Sequence, residues 1–465
     1  MSHAATNISH IPRPHRSSLV AITAAIIGVI YGYDLGNISG ALLFIPAQLH
    51  LGTFQVESVT TVVVVGEIVG ALLGGPLANA IGRKLVMVIV AFSYAVFAIL
   101  SALAMSLLWL DVTRFLLGIT IGLSIVVTPI FVAESVPARV RGRLVVMYQL
   151  ATVAGIMIAY FIDYALAFGA QWRLMLGLAA LPAIIVGFLL LPLPDTPRWY
   201  LMKGRREQAR EALQQIESEA MVEKEMSDFE VGIRSERGGR VIDMLRPPYL
   251  RATIFVVILG FLVQITGINA VVFYSPLIFK AMGFQGNFAL LILPGIVQVA
   301  SFIATIGSLF IVDRLGRRPT LLTGIGVMIL AGILMAVVFS FGAFNGALST
   351  LGFVGILFFT AAFNFGFGSM VWVYASESFP ARLRTLGSST MLTADLVANV
   401  IIASFFLSAL TSFGGMATFI VLVIFAVIAW LFVWWLAPET KGRPLEDIRL
   451  YWENGARWLD ERQEG

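Results

Sequence analysis

The chain has 465 residues, of which 58% are hydrophobic and only 12% charged, with a formal net charge of +4 and a mean hydropathy of +0.90. That is more apolar side chain than one water-soluble core can bury, so a soluble globular fold is excluded and a polytopic membrane protein is expected. The absence of cysteine excludes disulfides, thiolate metal centres and iron–sulfur clusters, and the four histidines, His3, His10, His15 and His50, lie in a tail and an outer loop, so no metal and no cofactor is expected.

A helix needs roughly 20 apolar residues to cross about 30 Å of hydrocarbon. About twelve such runs begin near Leu19, Val59, Leu85, Val112, Leu144, Arg173, Thr253, Phe288, Thr320, Leu351, Gly387 and Gly415. The first shows no obvious cleavage site and reads as a retained span rather than a signal peptide. Basic and nearly uncharged loops alternate: Arg13 and Arg16 precede the first run, Arg83 and Lys84 follow the second, and Arg139, Arg141 and Arg143 follow the fourth. Arg314, Arg317 and Arg318 follow the eighth, Arg382 and Arg384 the tenth, and Lys441 and Arg443 the twelfth. Because Lys and Arg in short loops stay inside, both termini are expected in the cytoplasm.

The longest polar interruption carries EQAREALQQIESEAMVEKEM, rich in helix formers. It divides the chain into a tail (1–17), a first six-helix half (18–194), a cytoplasmic helical linker (195–251), a second half (252–437) and a closing tail (438–465). Three pairs of strings recur in the same order about half a chain apart. Gly82-Arg83-Lys84 pairs with Gly316-Arg317-Arg318, the E-x-x-P-x-x-x-R of Glu134 to Arg141 with that of Glu377 to Arg384, and Pro194-Asp195-Thr196 with Pro438-Glu439-Thr440. Two parallel six-span halves are the simplest reading, and transporters so built bind their cargo near midplane between the halves.

Inside the spans lie Asp34, Glu67, Arg114, Asp163 and Asp395. A charge in hydrocarbon is costly and marks function by default. Beside Arg114 a carboxylate at position 34 is pulled down in pKa, while desolvation pushes it up, so it could switch its proton. Glu67, Asp163 and Asp395 read either as hydrogen-bonding groups between helices or as proton relays.

The motifs GYDLGNISG, NAIGRK, RFLLGITIG, PIFVAESVPARVRG, PDTPRW, QITGINAVVFYS, DRLGRR, WVYASESFP and PETKGR, spread over nearly the whole chain, resemble those of the sugar porters of the major facilitator superfamily. The resemblance implies an all-α membrane protein with twelve transmembrane helices in two pseudo-symmetric six-helix halves. It implies transport rather than enzymatic chemistry: proton-coupled symport of a monosaccharide, by default a hexose such as glucose or galactose. The proton, the sugar and the lipid bilayer are then the partners, with no nucleic acid, and a monomer in a bacterial inner membrane suffices.

By position, Asp34 and Arg114 match the proton-coupling pair, and Gln149, Gln264, Asn269, Trp372 and Asn399 match sugar contacts. Amides that both donate and accept, with an aromatic face, suit a neutral ring dense in hydroxyls. Tyr31 and Tyr274 are candidates for lining or closing the cavity. The resemblance further implies a cytoplasmic gate of ion pairs from Arg83, Glu134, Arg141, Asp195, Arg198, Asp313, Arg317, Glu377, Arg384 and Glu439, intact facing outward and broken facing inward.

Two departures leave the cargo open. Val263 stands where the family has a glutamine, and Ser369 where it has a proline, with Asn364 upstream as a substitute polar contact. The alternatives are a facilitative uniporter, against which Asp34 argues, a pentose or inositol transporter, and a transporter-fold sugar sensor, against which the short segment after PETKGR argues.

Overall fold

The computed structural model describes residues 14–458 apart from 137, 217–218, 237–240 and 343–345, and it is helical throughout, with no strand among those residues. Twelve helices are long and apolar enough to span a membrane: spans one to six are Leu19–Ala41, Thr53–Ile81, Arg83–Ala102, Leu107–Ser135, Met147–Ala167 and Trp172–Leu190. Spans seven to twelve are Leu250–Phe273, Phe288–Val312, Arg317–Ser340, Gly346–Glu377, Arg382–Ser412 and Gly414–Leu436. The chain is a multi-pass membrane protein. Spans two, four and eleven start five or six residues before the apolar runs that announce them, because a helix continues with polar side chains into the headgroup layer. With twelve crossings both ends emerge on one side, called here the near face.

The packing repeats. Span one lies along span five, two along four and three along six; in the second half seven lies along eleven, eight along ten and nine along twelve. The halves meet along two seams, span two against eleven and span five against eight, which the internal repeat exchanges. Short helices Pro197–Met202, Arg206–Gln214, Glu219–Glu236 and Val241–Met244 join spans six and seven, held by a small apolar cluster of Ala209, Leu213, Val222 and Met226. A last helix, Leu445–Glu453, rests its Trp452 against Phe255 of span seven, ring centroids 5.1 Å apart.

Glycine sets the close pairs. Within membranes, helices associate by backbone approach over small residues, and here Gly66 and Gly70 of span two face the carbonyls of Phe115 and Ile119, while Gly118 and Gly122 of span four face those of Val63 and Glu67. The same i, i+4 stripe runs down span one as Gly28, Gly32 and Gly36 against span five. A methyl group at Gly32 would fall 1.8 Å from the Thr152 carbonyl oxygen. Gly32→Ala should therefore push spans one and five apart at a cost of about 1–3 kcal/mol. The check is a lowered unfolding temperature of the detergent-purified protein, while Gly75→Ala, where a methyl meets nothing within 4 Å, leaves it in place.

Two spans are interrupted near midplane. Span seven breaks after Ile265 at Gly267, whose φ of +94° only glycine adopts without strain, and span ten carries a π-helical turn over Phe363–Phe367. Irregular backbone at this depth is tolerated where it lines a cavity, and broken helices are how transporters expose polar groups to cargo. Gln264 and Asn269 flank the first break.

Candidate functional site

The first half contributes a buried ion pair. Asp34 and Arg114 are each 2% exposed, and Arg114 Nη1 donates to Asp34 Oδ1 at 2.9 Å. The hydroxyl of Tyr94 on span three reaches the same oxygen at 3.4 Å. The pair is held by one short bond rather than a two-pronged one, and Arg114 Nε is buried without a hydrogen-bond partner among the described residues. Charges taken out of water need each other, because removing one partner strands the other. Glu67, 1% exposed, lies within electrostatic reach of Asp34, Asp395 and Arg114, and Tyr31 sits among the same three carboxylates.

The second half contributes amides around a carboxylate. Gln264 Nε2 points at Asp395 Oδ2 at 3.4 Å, and Asn399, one turn further along span eleven, is 2% exposed. Gln264 Oε1 and Asn399 Oδ1 are both buried without a hydrogen-bond partner among the described residues. Asn269 and Gln149 are half-buried, and Trp372 is 41% exposed. The structure thus brings Gln264 and Asn399 together around Asp395 and leaves Trp372 on a more open surface. Asn364 is half-buried, and its Nδ2 donates to the Thr360 carbonyl at 3.0 Å within its own span. Val263 is buried in the apolar core.

On the far face, opposite the termini, the halves are sealed together. Glu57 of span two accepts two bonds from span eleven, from the Ser408 backbone N–H at 2.7 Å and the Ser408 hydroxyl at 2.6 Å. Ser404 donates to Thr61 Oγ1 at 3.2 Å. The hydroxyls of Thr60 and Tyr274 lie 2.6 Å apart, and Tyr274 donates to the Ala403 carbonyl at 2.9 Å. Ser39 and Tyr160 both donate to the Val272 carbonyl of span seven, at 2.9 and 2.8 Å. The other seam closes with aromatic contact, Tyr164 edge-on to Phe288 at 6.1 Å.

On the near face the two halves repeat a capping device. Asp195 Oδ1 accepts the backbone N–H groups of Arg83, Thr196 and Lys84 at 3.0, 2.8 and 3.3 Å, and Glu439 accepts those of Arg317, Arg318 and Lys441 at 3.0, 3.1 and 2.8 Å. Each carboxylate meets the unsatisfied N–H groups that open a helix, where negative charge is favoured. Gly82 and Gly316 are required there: both have φ near +100°, and a side chain would strike the carboxylate. Burial pushes the Asp195 carboxyl above its ordinary range, while its backbone donors and Arg83 pull it back.

The model of the family described as sugar (and other) transporters matches residues 20–452. The chain belongs to that family. Over 433 residues this sugar transporter is 32% identical to the arabinose-proton symporter of Escherichia coli K12, covering 92% of each chain. It is 31% identical to the galactose-proton symporter of the same strain over 430 residues, covering 92% of this chain and 93% of that one. The inward-open structure of the xylose transporter XylE from E. coli superposes with a TM-score of 0.81 at 25% identity, covering 94% of this chain and all of that one. The all-helical architecture expected from the sequence, two halves of six spans, is the architecture found.

For this sugar transporter the near-face contacts of the expected gate residues join each half to the segment that follows it. Glu134 takes Arg83 Nε at 3.1 Å, Arg198 Nε at 3.7 Å and the Thr196 hydroxyl at 2.6 Å, all from the first half and the start of the linker that follows it. Arg317 of the second half meets Glu439 of the closing tail through its backbone N–H. Asp195 and Glu439, expected as ion-pairing groups, act here as helix caps. Arg384 is half-buried, and Glu377 Oε2 is buried without a hydrogen-bond partner among the described residues. The side chains of Arg141 and Asp313 lie outside the described residues. Sequence reasoning missed Glu57, Thr60, Ser39 and Tyr160, the residues of the far-face seal; it placed Tyr274 at closure without its partners.

Proposed function

We propose that this sugar transporter is a proton-coupled monosaccharide symporter that works by alternating access, with Asp34 carrying the proton and Arg114 as its partner. The observation that carries the reading is the buried, singly bonded Asp34–Arg114 pair in a protein shut on one face. A carboxylate that alternates between Arg114 and a proton gives two states of different charge, and a transport cycle needs such a pair of states. The sugar lies between the halves against Gln149, Gln264, Asn269, Trp372 and Asn399. The near face is cytoplasmic, so the conformation with its far face sealed is open inward, in a bacterial inner membrane. The bodies 18–194 and 252–437 rock about the site, tethered by 195–251, and a monomer holds every group required.

A hexose such as glucose or galactose is the default cargo. A pentose is the second reading, favoured by Val263: its apolar side chain, buried where an amide is expected, removes one hydrogen-bonding group from the cavity. The test is uptake of labelled glucose, galactose, arabinose and xylose by proteoliposomes with and without an imposed proton gradient. Accumulation that needs the gradient and collapses with a protonophore is expected. Accumulation that ignores the gradient overturns the coupling, and the sugar that best displaces the others names the cargo.

A further inference from the structure

Asp395 and Glu67 are not explained by the transport of a neutral sugar. They stand on opposite halves, 5% and 1% exposed, within electrostatic reach of each other. The ionisable groups around them are Asp34 and Tyr31 of span one, Arg114 of span four and Tyr148 of span five. Arg114 is the single cation in that set and is bonded to Asp34. Two carboxylates therefore lie buried with no cation of their own, an arrangement a protein does not hold in low dielectric without a counter-charge or a proton.

The amides point to a counter-charge. Gln264 turns its Nε2, a donor, toward Asp395, so Asp395 sits there as an acceptor. That orientation leaves Gln264 Oε1 facing away, buried and unpartnered, and Asn399 Oδ1, on the same face of span eleven as Asp395, is likewise buried and unpartnered. The unmet atoms beside Asp395 on the second half are both acceptors, while the unmet donor across the interface, Arg114 Nε, belongs to the guanidinium already bonded to Asp34. An ammonium group carries three donors, no acceptor and one positive charge, and it complements this corner better than a hydroxyl does.

Resting on the transport reading above, we propose that the cargo is a polyhydroxylated ring bearing a protonated amine, an amino sugar, with its ammonium group between Asp395 and Glu67 and its hydroxyls on the amides.

The experiment compares labelled D-glucosamine with D-glucose, which has a hydroxyl in place of the amine, in proteoliposomes under one imposed gradient at about pH 6, where such an amine is protonated. Wild-type protein should prefer glucosamine at least tenfold in uptake and in cross-competition. Asp395→Asn should lower that ratio at least tenfold, whatever its total uptake, and Glu67→Gln should shift it in the same direction. The same ranking is read without transport from ligand-induced thermal shifts of detergent-purified wild type and Asp395→Asn, so a variant impaired in the cycle still reports.

Glucose uptake with no preference for glucosamine, a ratio that Asp395→Asn leaves unchanged, or glucose uptake driven by sodium instead of the amine-bearing sugar overturns this inference and leaves sugar transport standing. If wild-type protein moves and binds neither compound nor any of the neutral sugars, the sugar-transport reading falls with it.

Discussion

Protein carrying Asp34→Asn should exchange labelled sugar between the two sides of a liposome and fail to concentrate it. An amide at this position has the shape of the protonated acid and cannot release a proton, so the cycle keeps the state in which Arg114 stands free and loses the one in which the pair is formed. One charge moved through about 100 mV is worth about 2.3 kcal/mol, enough for a roughly fifty-fold gradient. The expected result is that internal and external concentrations become equal under an imposed gradient, while counterflow stays within a few-fold of wild type. Loss of both would make the pair structural, since stranding a buried Arg114 costs about 3–5 kcal/mol. Retained accumulation would move the proton to another group, with Glu67 the nearest candidate.

The second large effect belongs to Glu57. Its carboxylate accepts both donors of Ser408 across the seam of spans two and eleven, and hydrogen bonds to a charged group contribute about 1.5–3 kcal/mol each. These bonds exist only when the far face is shut, so they bias the equilibrium between conformations rather than the stability of either half. Glu57→Ala should shift that equilibrium toward far-face opening at least tenfold, with Glu57→Gln, which keeps one acceptor, in between. The chain contains no cysteine, so spin labels on Phe54→Cys and Phe413→Cys report without background. Both positions are exposed, at the far ends of spans two and eleven. A longer distance population should grow in Glu57→Ala, and an unchanged distribution would mean that the seam is held elsewhere.

How much of this was legible in the sequence depends on how conspicuous each residue is. Twelve apolar runs and three repeated strings announce twelve spans in two halves, because only helices and closed barrels satisfy backbone groups in lipid. Asp34 and Arg114 announce each other, since a lone charge in hydrocarbon is too costly to leave unpaired.

The near-face carboxylates were legible as residues and misleading as partners. Asp195 and Glu439 look like ion-pairing groups, yet their donors are backbone N–H groups, which every residue but proline has and no composition marks. The far-face seal was illegible for a related reason. Ser39, Thr60, Ser404 and Ser408 carry hydroxyls that sit in a helix at little cost by bonding to its carbonyls, and Tyr160 reads as an ordinary aromatic, so nothing in a one-dimensional pattern tells the ones that bridge two halves from those that do not. Only the packing of span two on eleven, and of spans one, two and five on the end of span seven, gives them partners.

Those two seams have a mechanical consequence. Two rigid six-helix blocks joined at one patch could roll, twist or slide over one another in many ways. Joined along two parallel seams that the internal repeat interchanges, they are constrained as a door is by a pair of hinges. A line crossing both seams at mid-depth becomes the axis, and separation on one face is compensated by approach on the other. On the alternating-access reading proposed above, the cargo site lies where the displacement is smallest, so the groups that hold the ligand move least while the exits on either side move most.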